Sequence, residues 1–332
     1  MEYGNGLNEV YKPPANVPSF ANIIFVHGLF GDPLKTWTGV RNKRSKSPSG
    51  HASVATAEGQ RETTPGATAS QQTTPTAEPG RLSIFDSQGH PNKLFWPKEL
   101  LPSTLPNVCI YSWGYDADIG KFMSSAGLNT LYRHAQNLLN DLAALQDSNK
   151  DHPLPFIFVA HSLGGLVVKD ALNQSTETGN KRLKEIVSAT LGICFLGTPH
   201  RGSQSASLGR KIFRITEVLA AQRANTQLLQ TLEKNSETLE RITKSFYETL
   251  RTHERLHIFS FCEEKEVRKL GFLSAVIVYP DSAQVGYGNE EIGSIPANHS
   301  NMVKFGSPKD PGFIKVAGVL KRWVKEIQDE SI

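Results

Sequence analysis

One serine in this chain lies where a nucleophile of acyl transfer is expected. Ser162 follows a run of apolar, strand-favouring residues, 156–159, and precedes a helical pattern of apolar residues that begins at Leu166. A serine at a sharp strand-to-helix turn presents its hydroxyl above a sheet, provided that the residues two positions away on each side are small. Ala160 and Gly164 occupy those positions. The pattern predicts a nucleophile, and a serine that only caps the helix is the simpler alternative.

The predicted base lies far along the chain. A serine hydroxyl is a weak nucleophile at neutral pH, so Ser162 needs a histidine base and an acid that orients it. In hydrolases with a doubly wound sheet, these partners follow the serine in the order acid, then histidine. His299, in a loop after a late strand-like run, is the predicted base. His200 is the competitor, but the glutamates considered as its acid, Glu177 and Glu185, are not at strand ends.

The predicted acid follows the strand-like run LHIFSF. Glu263 is our choice, and Glu264 and Asp281 remain alternatives. Taken alone, a glutamate after a strand is usually a solvated turn residue. Its assignment therefore depends on its place in the chain between Ser162 and His299.

Two backbone amides are the candidate oxyanion hole. The negative charge of a tetrahedral intermediate needs preorganised N–H donors, and the residue after the nucleophile, Leu163, supplies one. The second is expected in the loop after the first predicted strand, where Leu29 is the best placed donor. Gly28 lets the loop backbone approach the substrate, and His27 is expected to support the loop rather than transfer protons. A glycine turn with no further role is the alternative.

Composition narrows the classes of function. The 332 residues include 36 basic and 32 acidic residues, so no excess of charge favours nucleic acid as a partner. The three cysteines lie in apolar runs without metal-ligand spacing, as buried thiols of a reducing compartment do. No signal peptide or apolar run of about 20 residues is present. We expect a soluble intracellular protein without metal or cofactor, for which peripheral membrane contact stays open and the oligomeric state is unknown.

Short apolar runs alternate with helical patterns, which predicts an α/β fold with a mostly parallel, doubly wound sheet. A crossover helix is predicted over 127–146, where leucines recur at intervals of three and four. The chain is expected to form one domain over residues 1–332. The predicted strands are Asn22 to Val26, Val108 to Trp113, Phe156 to Ala160, Ile193 to Leu196, Leu256 to Phe261 and Ala275 to Val278.

Two segments interrupt this alternation. Residues 41–92 are rich in Ser, Thr, Pro, Gly and Gln, which predicts a disordered insertion. Residues 205–251 contain two apolar stripes, one over 228–232 and one over 239–250, which predicts a helical insertion. Helices at this point are either a lid over an acyl pocket or helices packed on the core.

Several motifs together resemble one family, the serine esterases related to the serine active site-containing protein, which are abundant in fungi. The blocks occur in family order and are VHGLFGDPLKTW, LFWPKELLP, IYSWGYDAD, VAHSLGGLVVK, LGTPHRGS, SFCE and NHSNMVKF. The resemblance implies an α/β-hydrolase fold whose triad is Ser162, the acid after SFC, and His299. It also implies lipid-related ester hydrolysis associated with mitochondria or the endoplasmic reticulum. No phosphate-binding Gly-x-x-x-x-Gly-Lys-Ser/Thr loop follows, so a stand-alone form is expected.

The sequence therefore predicts a serine hydrolase of the carboxylesterase or lipase type, which acts on a small-molecule or lipid ester through an acyl-enzyme. Two alternatives stay open. The same residues could pass the acyl group to an alcohol, which is acyltransferase activity. A non-catalytic interaction module on a hydrolase fold is the alternative from a different class.

Overall fold

The fold comes from a computed structural model that describes residues 3–41, 92–117, 127–149, 153–200, 236–268, 274–275, 278 and 283–330. The strands in these ranges are β1 (Gly6–Tyr11), β2 (Ala21–Val26), β3 (Thr38–Val40), β4 (Lys93–Phe95), β5 (Val108–Gly114), β6 (Phe156–His161), β7 (Thr190–Leu196), β8 (His257–Glu263), β9 (Val267–Arg268), β10 (Ser274–Ala275) and β11 (Glu290–Ile295). The α-helices are α1 (Trp96–Glu99), α2 (Leu101–Thr104), α3 (Gly127–Ser148), α4 (Gly164–Glu177), α5 (Lys181–Ser188), α6 (Ser236–Thr252) and α7 (Pro311–Glu330).

The central sheet has the strand order β1-β5-β2-β6-β7-β8-β11. β1 pairs antiparallel with β5, and every other neighbouring pair in this sheet is parallel. From β2 the chain proceeds to β5 on one side and later to β6 on the other, so the sheet is doubly wound. The architecture is an α/β-hydrolase fold, which confirms the predicted fold class.

Helices cover both faces of the sheet, because the central strands carry apolar side chains on both sides. Ile24 and Phe158 point into one layer of the core with α3, α4, α5 and α6. Ile23 and Ile157, one residue earlier in the same strands, point into the opposite layer with α1, α2 and α7. Because both core layers hold the parallel strands in place, the carboxyl ends of β2, β6, β7 and β8 lie at one edge of the sheet. The candidate site residues lie at or directly after these strand ends.

The two edge strands differ from the sequence prediction. β1 and β11 are not predicted, because polar residues interrupt both segments, GLNEVY and EEIGSI. The prediction of a sheet strand from Ala275 to Val278 is wrong. β10 ends at Ala275 and pairs with β9 in a separate two-stranded sheet, and Val278 lies in a bend. The loop that carries His299 therefore follows β11.

The described part of the second insertion is packed on the core. The side chains of one face of α6 are buried beside α4, as a stripe of Leu239, Ile242, Phe246 and Leu250. Asn173 of α4 donates a hydrogen bond to the Ile242 carbonyl at 2.9 Å and accepts one from Thr249 at 3.0 Å. α6 is thus fixed to the helix that follows Ser162. The stripe over 228–232 lies outside the described residues.

The first insertion leaves and re-enters the fold at a hairpin. β3 and β4 pair antiparallel, and the Arg41 amide donates to the Asn92 carbonyl at 3.0 Å. The residues between them, 42–91, lie outside the described residues. The cysteines Cys109, Cys194 and Cys262 are buried free thiols. In the described ranges, no helix has the length and apolar character needed to cross a membrane.

Candidate active site

Ser162 occupies the turn between β6 and α4 in a strained backbone conformation. Its φ of 53° lies in the left-handed region, which non-glycine residues adopt rarely. The turn is held from both sides, because the Ser162 amide donates to the Leu196 carbonyl at 2.9 Å and the Gly165 amide donates to the Ser162 carbonyl at 3.1 Å. The serine side chain is thereby fixed at the edge of the sheet where β6 and β7 end.

The small residues on each side of Ser162 have different surroundings. A Cβ on Gly164 would lie 2.3 Å from the His27 carbonyl oxygen and 2.6 Å from that of Val26, so this position admits no side chain. Ala160, which stands where a glycine is usual, is completely buried in the core layer of α4. Its methyl group is therefore accommodated, and β6 and α4 keep the elbow geometry.

The structure brings Ser162, His299 and Glu263 together. His299 Nε2 lies 3.1 Å from Ser162 Oγ, and His299 Nδ1 lies 2.7 Å from Glu263 Oε2. All three side chains are buried, and Glu263 Oε1 also accepts a hydrogen bond from the Val278 amide at 3.0 Å. A carboxylate only accepts, so the imidazole proton is assigned to Nδ1. The lone pair of Nε2 then faces the serine hydroxyl, which is the arrangement that a general base requires.

The alternative acids and the alternative base have other surroundings. Glu264 is exposed, and its carboxylate accepts a hydrogen bond from the Ser294 hydroxyl at 2.6 Å and lies 3.8 Å from the Lys315 ammonium. Asp281 lies outside the described residues. His200 is buried with its ring edge-on to Phe195, at 4.5 Å between ring centroids. In the described part of the chain, the imidazole within hydrogen-bond distance of Ser162 is that of His299.

The loop after β2 lies directly against the turn that carries Ser162. A Cβ on Gly28 would lie 2.8 Å from Ser162 Cβ and 3.3 Å from the Leu163 amide nitrogen, so only glycine allows this approach. The Phe30 amide donates to the Ala117 carbonyl at 3.1 Å. By contrast, the amides of Leu29 and Leu163 donate to no group among the described residues. The Leu163 amide directly follows Ser162 in the chain, and Leu29 directly follows the glycine that contacts Ser162.

His27 supports this loop as a neutral ring. Burial lowers the pKa of His27 to about 4. Its ring stacks on Tyr115 at 4.4 Å between centroids, and its Nε2 accepts a hydrogen bond from the Tyr115 amide at 3.3 Å. The Tyr115 hydroxyl in turn donates to the His27 carbonyl at 3.0 Å. These contacts fix the backbone that leads to the Leu29 amide, and they leave His27 no part in proton transfer.

Sequence reasoning missed a second layer of residues behind the site. Gly197, the residue directly after β7, has a φ of 60°, and a Cβ there would lie 3.0 Å from the His299 ring. The Trp96 indole donates to the Val303 carbonyl at 2.8 Å and so holds the loop after His299. Both residues belong to blocks LGTPHRGS and LFWPKELLP, but no local pattern assigns them a role. In the described residues, no group of three or more His, Cys, Asp or Glu could hold a metal ion.

Comparison with known proteins finds distant relatives, and no family model matches the chain. Protein SERAC1 of Mus musculus is 23% identical over 293 residues, which cover 86% of this chain and 36% of that protein. Protein SERAC1 of Danio rerio is 26% identical over 297 residues, which cover 87% of this chain and 37% of that protein. The chain thus spans little more than a third of the length of the curated relatives it matches.

Among solved structures, the Bacillus licheniformis lipase BlEst2 in its mature form aligns with a TM-score of 0.43 at 14% identity, over 95% of this chain and 99% of that chain. A lipase-esterase related protein from Clostridium acetobutylicum aligns with a TM-score of 0.43 at 13% identity, over 96% and 99%. What this chain does must therefore be inferred from its own site residues.

Proposed function

We propose that this protein is a serine-dependent acyl-ester hydrolase. Ser162 is the nucleophile, His299 the general base, and Glu263 the acid that orients the base. The observation that carries the proposal is the continuous line of hydrogen bonds from Glu263 to His299 at 2.7 Å and from His299 to Ser162 at 3.1 Å. Burying a hydroxyl, an imidazole and a carboxylate costs free energy. In this order the three groups can activate a nucleophile for acyl transfer, which is a reason for a protein to bury them together.

The first half-reaction forms an acyl-enzyme. Ser162 Oγ attacks the carbonyl carbon of the ester while its proton moves to His299 Nε2. The carbonyl oxygen becomes an oxyanion, which accepts hydrogen bonds from the amides of Leu29 and Leu163. When the tetrahedral intermediate collapses, the bond between the carbonyl carbon and the alcohol oxygen breaks, and the alcohol leaves with the proton from His299.

The second half-reaction releases the acid. Water attacks the carbonyl carbon of the acyl-enzyme while one of its protons moves to His299 Nε2. The bond between that carbon and Ser162 Oγ then breaks, Oγ takes the proton back from His299, and the carboxylic acid leaves. The Glu263 carboxylate stabilises the imidazolium that forms in both steps. Each amide of an oxyanion hole contributes about 2.7 to 4 kcal/mol to such a reaction. The groups of the chain itself account for every step, so the proposal calls for no cofactor.

The proposed substrate class is a carboxylic ester, either of a small molecule or of a lipid. Peripheral contact with a membrane, and association with mitochondria or the endoplasmic reticulum, remain predictions that accompany the lipid substrate. An alcohol that attacks the acyl-enzyme in place of water would yield a new ester, by the same residues.

The test uses a fluorophosphonate probe, which reacts with an activated serine without knowledge of the natural ester. Wild-type protein should be labelled, and Ser162→Ala should not be. Ser294→Ala is the matched control, because its hydroxyl contacts Glu264 instead of a histidine, and it should be labelled like wild type. Labelling that persists in Ser162→Ala would remove Ser162 from this role.

Two further outcomes separate the alternatives. A folded wild-type protein that reacts with no serine probe would support the non-catalytic interaction module. For an active protein, incubation with acyl esters of increasing chain length and added lysophospholipid identifies the acceptor. Free fatty acid as the product indicates a hydrolase, and acylated lysophospholipid indicates an acyltransferase.

A further inference from the structure

His161 is a second buried histidine beside the proposed triad, and the reaction steps above do not use it. It is the last residue of β6 and directly precedes Ser162. Its Nε2 lies 3.1 Å from the backbone carbonyl oxygen of His299. A carbonyl oxygen only accepts, so the His161 ring carries its proton on Nε2 and donates it to His299.

The surroundings of His161 keep this donor in place. The ring is tilted at 41° to the His299 ring with 5.0 Å between centroids, and it stands edge-on to Trp37 at 6.5 Å. Burial, followed by the electrostatic effect of His299, lowers the pKa of His161 well below its ordinary value. Lys304 and His27 act in the same direction, and the hydrogen bond to the His299 carbonyl opposes them. A neutral ring with its N–H on a carbonyl is the state that results.

The hydrogen bond joins two parts of the chain that must be in register for catalysis. One partner is His161, the last residue of the strand that leads to Ser162, and the other is the backbone of His299, the proposed base. The preceding carbonyl, that of Asn298, accepts amides from within its own turn, those of Asn301 and Met302. Those bonds shape the turn but do not reach β6. The bond from His161 does, and it fixes how far the His299 backbone lies from Ser162.

We propose that His161 is a positioning residue, whose N–H holds the backbone of His299 so that its imidazole stays on the Ser162 hydroxyl. The inference rests on the proposed function, because it gives His161 a role only if His299 is the base. His161 is not an alternative base, since its Nε2 is already bound to the carbonyl. A misplacement of about 1 Å between reacting groups can lower a rate about 100-fold. Loss of the hydrogen bond from His161 should therefore lower the rate at which Ser162 reacts.

The experiment compares two amide side chains that differ in reach. In His161→Gln the amide nitrogen reaches approximately the position of imidazole Nε2, and in His161→Asn it stops near the position of Nδ1. His161→Phe keeps a ring and removes the donor. The readout is the rate of fluorophosphonate labelling of the full chain, measured over a range of probe concentrations. These data separate the reversible affinity for the probe from the maximal rate of covalent labelling. The melting temperature is measured for each variant.

We expect the maximal rate of covalent labelling of His161→Gln to stay within about threefold of wild type. The same rate should fall about 10- to 100-fold in His161→Asn and His161→Phe, with the reversible affinity for the probe unchanged. Two results would overturn the inference: full rates in the Asn and Phe variants, or a Gln variant as slow as the Asn variant. If His161→Phe does not fold, the comparison of His161→Gln with His161→Asn still tests the inference, because both side chains end in the same amide and differ only in length.

Failure of the proposed function would look different, because wild type itself would then not be labelled. In that case the far-downfield proton resonance of the bond between His299 Nδ1 and Glu263 replaces the labelling rate as the readout. The resonance should persist in His161→Gln and be lost or broadened in His161→Asn. The same spectrum in both variants would overturn the positioning role independently of any activity.

Discussion

Replacing Glu263 by Gln is the most direct perturbation of the proposed triad, since it changes one oxygen into an NH₂ group at nearly constant volume. Among the described residues, the native carboxylate accepts hydrogen bonds from His299 at 2.7 Å and from the Val278 amide at 3.0 Å. An amide offers one accepting oxygen. One of these two buried donors must therefore face the NH₂ group in the variant.

Both orientations of the new amide lower the rate. If its oxygen stays on Val278, the NH₂ group faces His299 Nδ1 and moves the imidazole proton to Nε2, which removes the base. The comparable change in a serine protease costs about 10⁴-fold, or roughly 5 kcal/mol. If the amide turns over, its oxygen accepts from His299 but carries no charge to stabilise the imidazolium, which costs up to about 3 kcal/mol, or about 10²-fold in rate. The Val278 donor that then faces the NH₂ group lowers the stability of the fold instead of the rate. We therefore expect a loss of about 10²- to 10⁴-fold.

Glu264→Gln is the matched control, one residue further along. Glu264 is exposed and contacts Ser294 and Lys315 at the surface, so its labelling rate should stay within about twofold of wild type. Fluorophosphonate labelling and ester hydrolysis are measured on both variants, with their melting temperatures. A Glu263→Gln variant within tenfold of wild type would refute the reasoning. A large loss in Glu264→Gln would transfer the acid role to that residue.

The other predictions concern a close contact and a buried carboxylate. Gly197→Ala should lower the labelling rate at least about tenfold, because its Cβ would lie 3.0 Å from the His299 ring and 2.9 Å from Met302 Sδ, at a φ of 60°. Gly179→Ala, whose Cβ would meet nothing within 4 Å, should leave the rate unchanged, and equal rates in both variants would contradict the prediction. Burial raises the pKa of Asp170 to about 6, so the folded state binds a proton that the unfolded state, with a pKa of 3.8, does not. Burial of the ionised carboxylate therefore destabilises the folded state fully above pH 6, and this penalty is relieved as the pH falls toward 3.8. Asp170→Asn removes the penalty, so it should raise the free energy of unfolding by on the order of 1 to 3 kcal/mol at pH 8 and by much less at pH 4.5. Urea unfolding at the two pH values checks this, and a gain that does not depend on pH would contradict it.

Five of the central strands could be predicted from the sequence. β2, β5, β6 and β7 are nearly continuous apolar runs, because helices cover both sides of the sheet. β8 is predicted from its apolar residues as well, although His257 and Phe259 are only half-buried. The edge strands β1 and β11 are only partly covered, so their segments keep polar residues and have no clear period. The run from Ala275 to Val278 shows the converse. Apolar composition there predicts a strand, but local sequence does not determine whether the sheet has a free edge for it.

The site divides in a similar way. Ser162 has a local signature, since the strand, the small residues and the helix are adjacent in the chain. The choice between Glu263 and Glu264 has none, because consecutive residues at a strand end point to opposite faces. Glu263 lies opposite Ile295 in the register of β8 with β11 and faces the buried side. That register, and the contact of His161 with the loop of His299, depend on residues distant in sequence.

The spacing of these three groups along the chain determines when the site can form. Ser162 and His299 are 137 residues apart, and Glu263 lies 36 residues before His299. Contacts of such long range form only after much of the chain has closed on itself. During synthesis from the amino terminus, the elbow therefore leaves the ribosome well before Glu263 and His299. Under the proposed function, an unfinished chain carries the hydroxyl without its base, and activity begins only after β8 and β11 have joined the sheet.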